Sequence, residues 1–275
     1  MTGEHDMMVV PEKPEGAAVP KPPHPAGTRG HWLRAYRDLV FIRWTNIRNE
    51  WYFGVIVGML FPVAIMTFMR LSGSTTDPQA GLYVASGNAV MSLVMGPMQS
   101  LCNDLAWARQ RNDLDYFAAL PVTKLQVTLA YTTVSGVFII PGMLFSIGIG
   151  SWWFGFPVQW NPLTLPVMVL ASLSMAGLGV MAGLHARGIH QANMFNSAVM
   201  LVTVFLSPVL LPYENLPKFL QVTSKLLPTS YAAAALRGSL SGMPMPELVK
   251  YLGILCAFTA GFLYIGTKRL DWRLD

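Results

Sequence analysis

Charged residues are scarce in this chain, and over one long stretch they are absent. Asp, Glu, Lys and Arg make up 12% of the 275 residues, and none of them occurs between Leu125 and Leu184. A water-soluble domain needs polar groups on its surface, so a run of this length without charge excludes an ordinary soluble fold. A bilayer needs no such cover, and about 20 apolar residues form a helix that crosses its ~30 Å core. The stretch is therefore predicted to cross a membrane twice, with a break at residues 156–162.

Sequence features that mark several other classes of protein are also missing. The only cysteines are Cys102 and Cys256, which the predicted topology keeps too far apart for a disulfide, so they are interpreted as apolar fillers. Residues 1–30 are polar and rich in proline, which predicts a disordered cytoplasmic tail without the apolar core of a signal peptide. The nearest approach to a phosphate-binding loop, residues 261–268, ends in Gly-Thr-Lys instead of Gly-Lys-Ser or Gly-Lys-Thr. ATP hydrolysis by this chain is therefore not expected.

The residues that are present indicate a polytopic α-helical membrane protein. Hydrophobic residues make up 53% of the chain, and they form continuous segments separated by short polar stretches. The predicted fold is all-α, with six transmembrane helices in a domain spanning residues 51–275. The six predicted spans are about 51–69, 81–102, 125–150, 163–184, 192–211 and 248–266.

Residues 31–50, which precede the first span, have the pattern of an amphipathic helix. Its apolar face is predicted to be Leu33, Tyr36, Val40, Trp44 and Ile47, and its polar side Arg34, Arg37, Asp38 and Arg48. Such a helix suits the membrane interface, where aromatic and arginine side chains act as anchors. A simple extension of the first span is the alternative.

The distribution of basic residues predicts the orientation of the chain. Fourteen of the 19 lysines and arginines fall in the two termini or in the loops after the second and fourth spans. Cytoplasmic loops of membrane proteins carry an excess of Lys and Arg, so both termini are predicted to lie in the cytoplasm. The expected location is the plasma (inner) membrane of the cell.

Two loops carry more pattern than a simple connector needs. The cytoplasmic loop 103–124 has an apolar side and a charged side, which is compatible with a solvated connector or with a docking element for a soluble partner. The outer loop 212–246 is predicted to form two short helices. They are expected to pack at the outer membrane surface or to be partly re-entrant, which is allowed only where protein or water covers the backbone.

These loops resemble those of the permease subunits of type 2 ABC transporters, the daunorubicin-resistance and polysaccharide-export kind. The cytoplasmic loop matches the family pattern at Arg109, Arg111, Asp113, Leu114, Phe117, Leu120, Pro121, Val122, Thr123 and Lys124. The outer loop matches at Leu216, Pro217, Pro228, Tyr231, Arg237 and Gly238. The resemblance covers residues 31–270.

The resemblance implies an ATP-driven exporter in which this chain is a non-catalytic membrane subunit. Two ATPase subunits, which carry the ATP and magnesium, would drive two permease subunits, the second being identical to this chain or a paralogue. The residues expected to dock the ATPase are Arg34 and Arg37 of the interfacial helix and Arg109, Arg111, Asp113, Leu114, Asp115, Phe117, Leu120 and Pro121 of the coupling loop. No cofactor and no nucleic acid are expected on this chain. The expected cargo is an amphipathic drug, lipid or glycolipid.

Polar residues inside the predicted spans are few and uncharged. Candidates to line a translocation path are Asn88, Ser92, Gln99, Thr132 and Asn196, although such residues more often form hydrogen bonds between helices. No metal site is expected, because His185 and His190 look like part of a polar loop at a helix end. A membrane-embedded enzyme is disfavoured because no catalytic constellation is present. A non-transporting scaffold or sensor subunit is the alternative function.

Overall fold

Helices account for all the regular secondary structure in the residues that the structure describes. The computed structural model describes residues 29–48, 51–73, 77–111, 123–186, 188–206 and 218–268. The helices are α1 (Arg29–Arg48), α2 (Trp51–Leu71), α3 (Pro78–Leu93), α4 (Gln99–Gln110), α5 (Lys124–Phe154), α6 (Thr164–His185), α7 (Ile189–Leu206), α8 (Lys218–Ser224), α9 (Pro228–Leu240) and α10 (Met245–Lys268). A π-helical turn, Val94–Met98, joins α3 to α4. The predicted all-α class is confirmed.

The long helices lie where the apolar segments of the sequence lie. Helices α2, α3 with α4, α5, α6, α7 and α10 overlap the six predicted spans. Within the described ranges, three segments are long and apolar enough to cross a membrane: Leu125–Phe154, Thr164–His185 and Met245–Ile265. Helix α4 continues to Gln110, so the first part of the predicted loop 103–124 extends the preceding helix.

Local sequence signals explain where several helices begin and end. Asp77 caps α3 by accepting a hydrogen bond from the Gln79 amide, and Pro78 occupies the first helical position, where no amide donor is needed. Thr123 and Gln126 form a reciprocal capping box at the start of α5. Helix α5 ends at Gly155, whose φ of 69° suits a residue without a side chain.

Helix α6 lies at the centre of the bundle. It packs against α4, α5, α9 and α10, and the main hydrophobic core forms along it. Methionine supplies much of that core: Met91, Met98, Met143, Met168 and Met175 are each at most 2% exposed. Flexible thioether side chains fill irregular gaps between helices, and these five methionines do so in the core of this chain.

Two glycines of α6 bring its backbone against the neighbouring helix. A Cβ atom on Gly179 would lie 2.3 Å from the Met98 carbonyl oxygen, and one on Gly183 would lie 2.7 Å from that of Cys102. The four-residue spacing places both glycines on one face of α6, where they allow a close approach to the π turn and α4. The structure thus gives these two small residues the packing role that is usual for such a pair.

The two ends of the bundle differ in how they are built. At the α1 end, helix α1 packs beside the start of α5, near the ends of α4 and α6. At the opposite, α9 end, helix α9 inserts among α3, α6 and α10. Ala232, Ala233, Ala235 and Leu236 of α9 are at most 1% exposed. The sequence left two arrangements open for this outer segment: packing at the outer membrane surface, or partial re-entry. In the structure, α9 is packed into the bundle.

The glycine contact predicts that alanine at Gly179 destabilises the protein, whereas alanine at Gly253 does not. Gly179→Ala places a methyl group against backbone that cannot rotate away, so we expect a loss of about 1–3 kcal/mol in unfolding free energy. Gly253→Ala is the matched control, since a Cβ there meets nothing within 4 Å. Thermal unfolding of the purified variants in detergent measures both changes. Equal stability of the two variants would contradict the close approach of α6 to α4.

Candidate functional site

A partly buried ion pair and an aromatic ring join three helices at the α1 end. Nη2 of Arg43, on α1, donates a hydrogen bond to Oδ2 of Asp104, on α4. The Arg43 guanidinium also lies 4.6 Å from the ring centroid of Tyr131, on α5. The Arg43 side chain is 14% exposed and that of Asp104 is 32% exposed, so the pair is largely withdrawn from water. This arginine, carboxylate and aromatic ring form a group that we call the Arg43 node.

Burial and charge act in opposite directions on the acid of the Arg43 node. Burial raises the pKa of the Asp104 carboxyl above its ordinary range, because the charged form loses hydration. The neighbouring Arg43 charge and the hydrogen bonds from Arg43 and Ser100 favour the carboxylate and oppose that rise. The carboxylate therefore depends on Arg43 to offset its desolvation.

Further polar contacts fasten α1 to the start of α5. The Tyr36 hydroxyl donates a hydrogen bond to Thr133 Oγ1 over 2.9 Å, and Gln126 Nε2 donates one to the Trp32 carbonyl over 3.0 Å. Beneath them, Leu39 packs with residues of α5 in a small apolar cluster. These contacts hold α1 in one rotational setting against the bundle.

Part of the apolar face expected from sequence packs against α5. Tyr36 and Val40 join the small apolar cluster, and Trp44 stacks on an aromatic ring of α5 with 4.8 Å between the ring centroids. Leu33, from the same predicted face, is 59% exposed. Arg43 is partly buried against the bundle, and the sequence pattern did not predict this because an ion pair between helices is not visible in hydrophobic periodicity.

Helix α4 is also tied to the ends of α6 and α7. Nη1 of Arg109 donates to the carbonyls of Leu184 and Ala186, at 2.8 and 3.4 Å. Carbonyls at a helix C-terminus lack helical partners and carry partial negative charge, so a cation stabilises them. Asn196 Nδ2 of α7 donates to Asn103 Oδ1 of α4 over 2.9 Å. At this end, polar contacts join α4 to α1, α6 and α7, and join α1 to α5.

The predicted docking residues fall into three groups. Arg34 and Arg37 are exposed on α1, and Arg111 lies at the end of α4 with its guanidinium 5.1 Å from the Trp107 ring centroid. Arg109 holds the end of α6 within this chain. The remaining predicted docking residues lie outside the described residues: Asp113, Leu114, Asp115, Phe117, Leu120 and Pro121. Their docking role stays a prediction.

The predicted path residues lie mainly in the interior of the protomer. Asn88 is fully buried and its Nδ2 is 3.5 Å from the Pro62 carbonyl oxygen, while Ser92 donates to the Asn88 carbonyl over 3.1 Å. Thr132 is also fully buried, and its hydroxyl makes no hydrogen bond in the part of the chain that the structure describes. The side-chain amide of Asn196 donates a hydrogen bond to Asn103. Gln99 is partly exposed. Their place on a translocation path stays a prediction.

Sequence reasoning missed a second inward-facing arginine, at the α9 end. Arg237 of α9 lies 3.5 Å from the ring centroid of Tyr83, and its Nε donates to Ser86 Oγ over 3.2 Å. Both partners are on α3, so one side chain fixes α9 to the bundle. The sequence offers no local signal for this contact or for that of Arg43, because the partners of each arginine lie on other helices.

A family model and individual relatives both match this chain. A family model described as ABC-2 type transporter matches residues 26–240, which include α1 through α9. Nodulation protein J of Rhizobium leguminosarum bv. trifolii is 28% identical over 118 residues, covering 42% of this chain and 45% of that protein. Linearmycin resistance permease protein LnrN of Bacillus subtilis (strain 168) is 26% identical over 189 residues, covering 68% of this chain and 48% of that protein. The chain thus spans about half the length of these curated relatives.

The Arg43 node predicts a pH-dependent defect. Arg43→Gln leaves the Asp104 carboxylate partly buried without its cation, which we expect to cost about 1–3 kcal/mol of unfolding free energy at neutral pH. The same change raises the folded-state pKa of Asp104 further above its unfolded value. Lowering the pH toward that pKa therefore protonates the folded carboxyl and shrinks the defect.

The double variant provides the control for this measurement. Arg43→Gln with Asp104→Asn lacks the titrating carboxyl, so its stability should change less between pH 7 and pH 5 than that of Arg43→Gln alone. Arg37→Gln, an exposed arginine on the same helix, should change stability by less than about 0.5 kcal/mol. Thermal unfolding in detergent measures all three. A defect of Arg43→Gln that stays constant with pH would contradict the role of Asp104.

Proposed function

The chain belongs to the ABC-2 type transporter family, and from this membership we propose that it is the membrane-spanning subunit of an ATP-driven ABC exporter. The family match over residues 26–240 is the observation that carries the proposal, because it includes both patterned loops. The ATPase is a separate polypeptide that holds ATP and magnesium. Two such ATPases would work with two permease subunits, the second identical to this chain or a paralogue.

Exposed apolar surfaces on the outer helices support the membrane placement. Ile56, Leu60 and Phe68 of α2 are 61–70% exposed, and Met194 and Leu201 of α7 are 63% and 58% exposed. Large apolar side chains are costly in water but favourable against lipid. We propose six spans in the plasma membrane, with both termini and the α1 end in the cytoplasm, as the distribution of basic residues indicates.

The contacts at the α1 end support a route for mechanical coupling. The loop of residues 112–122 joins α4 to α5, and both described ends of that loop, Arg111 and Thr123, are at the α1 end. A partner that moves this loop would move α4. Through the Arg43 node, Arg109 and the glycine contact, α4 is joined to α1, α5 and α6. We propose that ATP-driven closure of the ATPases is transmitted in this way.

The cargo is proposed to be an amphipathic drug, lipid or glycolipid. The predicted path residues are polar but uncharged, and this composition does not favour a free ionic solute. One relative is named for resistance to linearmycin, which supports efflux of a drug-like molecule. We propose that Asn88, Ser92, Gln99, Thr132 and Asn196 contribute to the path in the assembled transporter.

The proposed orientation predicts which sites a membrane-impermeant thiol reagent reaches in intact cells. In a Cys256→Ser background, a cysteine in place of exposed Ser241, after α9, should be labelled from outside. A cysteine in place of Asp113 should react only after the cells are permeabilised. Labelling of the Asp113 position in intact cells would overturn the topology and the docking role together.

Charge reversal in the coupling loop should separate ATP hydrolysis from transport. We expect Asp113→Lys or Asp115→Lys, and disruption of the Leu120–Pro121 turn, to lower ATP-dependent flux by about fivefold or more, because site coupling of this kind amounts to about 1–3 kcal/mol. Glu247→Lys, which reverses an exposed acid at the start of α10, is the control and should transport normally. Flux and ATP hydrolysis are measured together in proteoliposomes that contain the co-purified ATPase.

Two results would contradict the proposed coupling. Normal flux in the Asp113 and Asp115 variants would remove the docking role of the loop. ATP hydrolysis by the parent complex without flux of any amphipathic cargo would favour a scaffold or sensor subunit instead.

A further inference from the structure

We propose that the outward face of α1 binds anionic phospholipid headgroups, and that Arg34 and Arg37 provide the charge selectivity. The proposal rests on the proposed function only in that it takes the α1 end to lie at the cytoplasmic surface of a membrane. It assigns an anionic lipid partner to two arginines that the family resemblance placed against an ATPase.

The rotation of α1 is fixed, so its outward face is defined by contacts and not by pattern. Arg43, Tyr36 and the Trp32 carbonyl are all held by α4 or α5. The opposite face is therefore turned away from the bundle. Arg34 and Arg37 both lie on that face and are exposed.

Large apolar side chains are exposed on this face and at its two edges, with Phe41 between the cations and Leu33 and Ile42 at opposite edges. Leu33 is 59% exposed, Phe41 70% and Ile42 57%. Phe41 follows Arg37 by four residues and Arg34 by seven, so these three side chains project from one side of the helix. In water this arrangement leaves apolar area uncovered, whereas at the boundary between headgroups and acyl chains both kinds of side chain find a partner.

The charges on this face favour an anionic headgroup. It carries the cations Arg34 and Arg37 and one acid, Asp38, whose carboxylate is 3.8 Å from Arg37 Nε. The Arg37 and Asp38 side chains are 80% and 65% exposed, so water weakens their attraction and leaves the arginine available to a phosphate. Arginine suits phosphate because its planar donors match two oxygens at once.

An ATPase is the competing partner for the same arginines. A docking protein would have to cover Leu33, Phe41 and Ile42 as well as the two cations, whereas a lipid surface covers all of them without a shaped groove. The adjoining α2 begins at Trp51, only three residues beyond the end of α1, so α1 lies next to a predicted span. The observations therefore favour lipid.

A fluorophore on α1 tests this proposal without ATP or cargo. In a Cys256→Ser background, with the buried Cys102 retained, Thr45→Cys carries a bimane group on the exposed side of the helix, one turn from Phe41. The full chain is reconstituted in vesicles that contain equal mole fractions of brominated phosphatidylglycerol or brominated phosphatidylcholine. Bromine quenches the fluorophore on contact, so the ratio of the two quenching efficiencies reports preference for the anionic lipid.

The charge variants should change that ratio in opposite directions. We expect the parent to be quenched more by the anionic lipid, and Arg34→Gln with Arg37→Gln to lower the relative affinity by roughly fivefold at most for each arginine. Asp38→Asn should raise it, and Arg34→Lys with Arg37→Lys should keep most of it because the charge remains. Raising the salt concentration should weaken the parent's preference and leave the double glutamine variant unaffected.

Three outcomes would overturn the proposal. One is equal quenching by the two lipids in the parent. Another is an anionic preference that the double glutamine variant retains in full, which would leave the arginines to the ATPase. The last is quenching by neither lipid, which would place α1 away from the membrane. A failure of ATP-driven transport would leave the lipid ratio interpretable.

Discussion

The close approach of α6 to the π turn and α4 is the contact on which the rest of the bundle depends. Lipid offers little hydrophobic force to hold helices together, so their association relies on tight packing and on hydrogen bonds between them. Gly179 and Gly183 allow that packing because a Cβ at either position would meet a carbonyl oxygen. This contact positions α4 against α6. The core methionines then pack along α6, and polar contacts join α4 to α6 and α7.

Polar contacts are concentrated at the two ends of this packed centre and have different consequences. At the α1 end, the Arg43 node and Arg109 join the helices that flank the loop of residues 112–122. Movement of one of these helices therefore carries the others. At the α9 end, Arg237 holds a short buried helix against α3. The proposed coupling to an ATPase requires a connection of this kind at the α1 end.

The sequence was sufficient for the class of fold but not for the surfaces of the helices. The long uncharged stretch predicted two long helices with a break between them, and the structure shows α5 and α6 with that break between them. Tyr36, Val40 and Trp44 of the predicted apolar face of α1 contact α5, whereas Leu33 of that face is exposed. The inward contact of Arg43 was not predicted. Hydrophobic periodicity treats every arginine as outward-facing, whereas an arginine with an acid and an aromatic ring within reach is stable inside. Likewise, Arg109 stays within this chain because helix carbonyls are nearby.

By itself, the order of apolar and charged residues determined that this chain is helical, that its helices are long enough for a membrane, and which family it resembles. The helical class and the helix lengths follow from hydration and backbone hydrogen bonding, which act locally along the chain. Only the tertiary structure decided that Asp104 is the partner of Arg43, that α9 packs into the bundle, and that Arg34 and Arg37 share an outward face with Phe41. Residues 61 positions apart meet only when the helices have packed, so a pattern read along one helix carries no record of that contact.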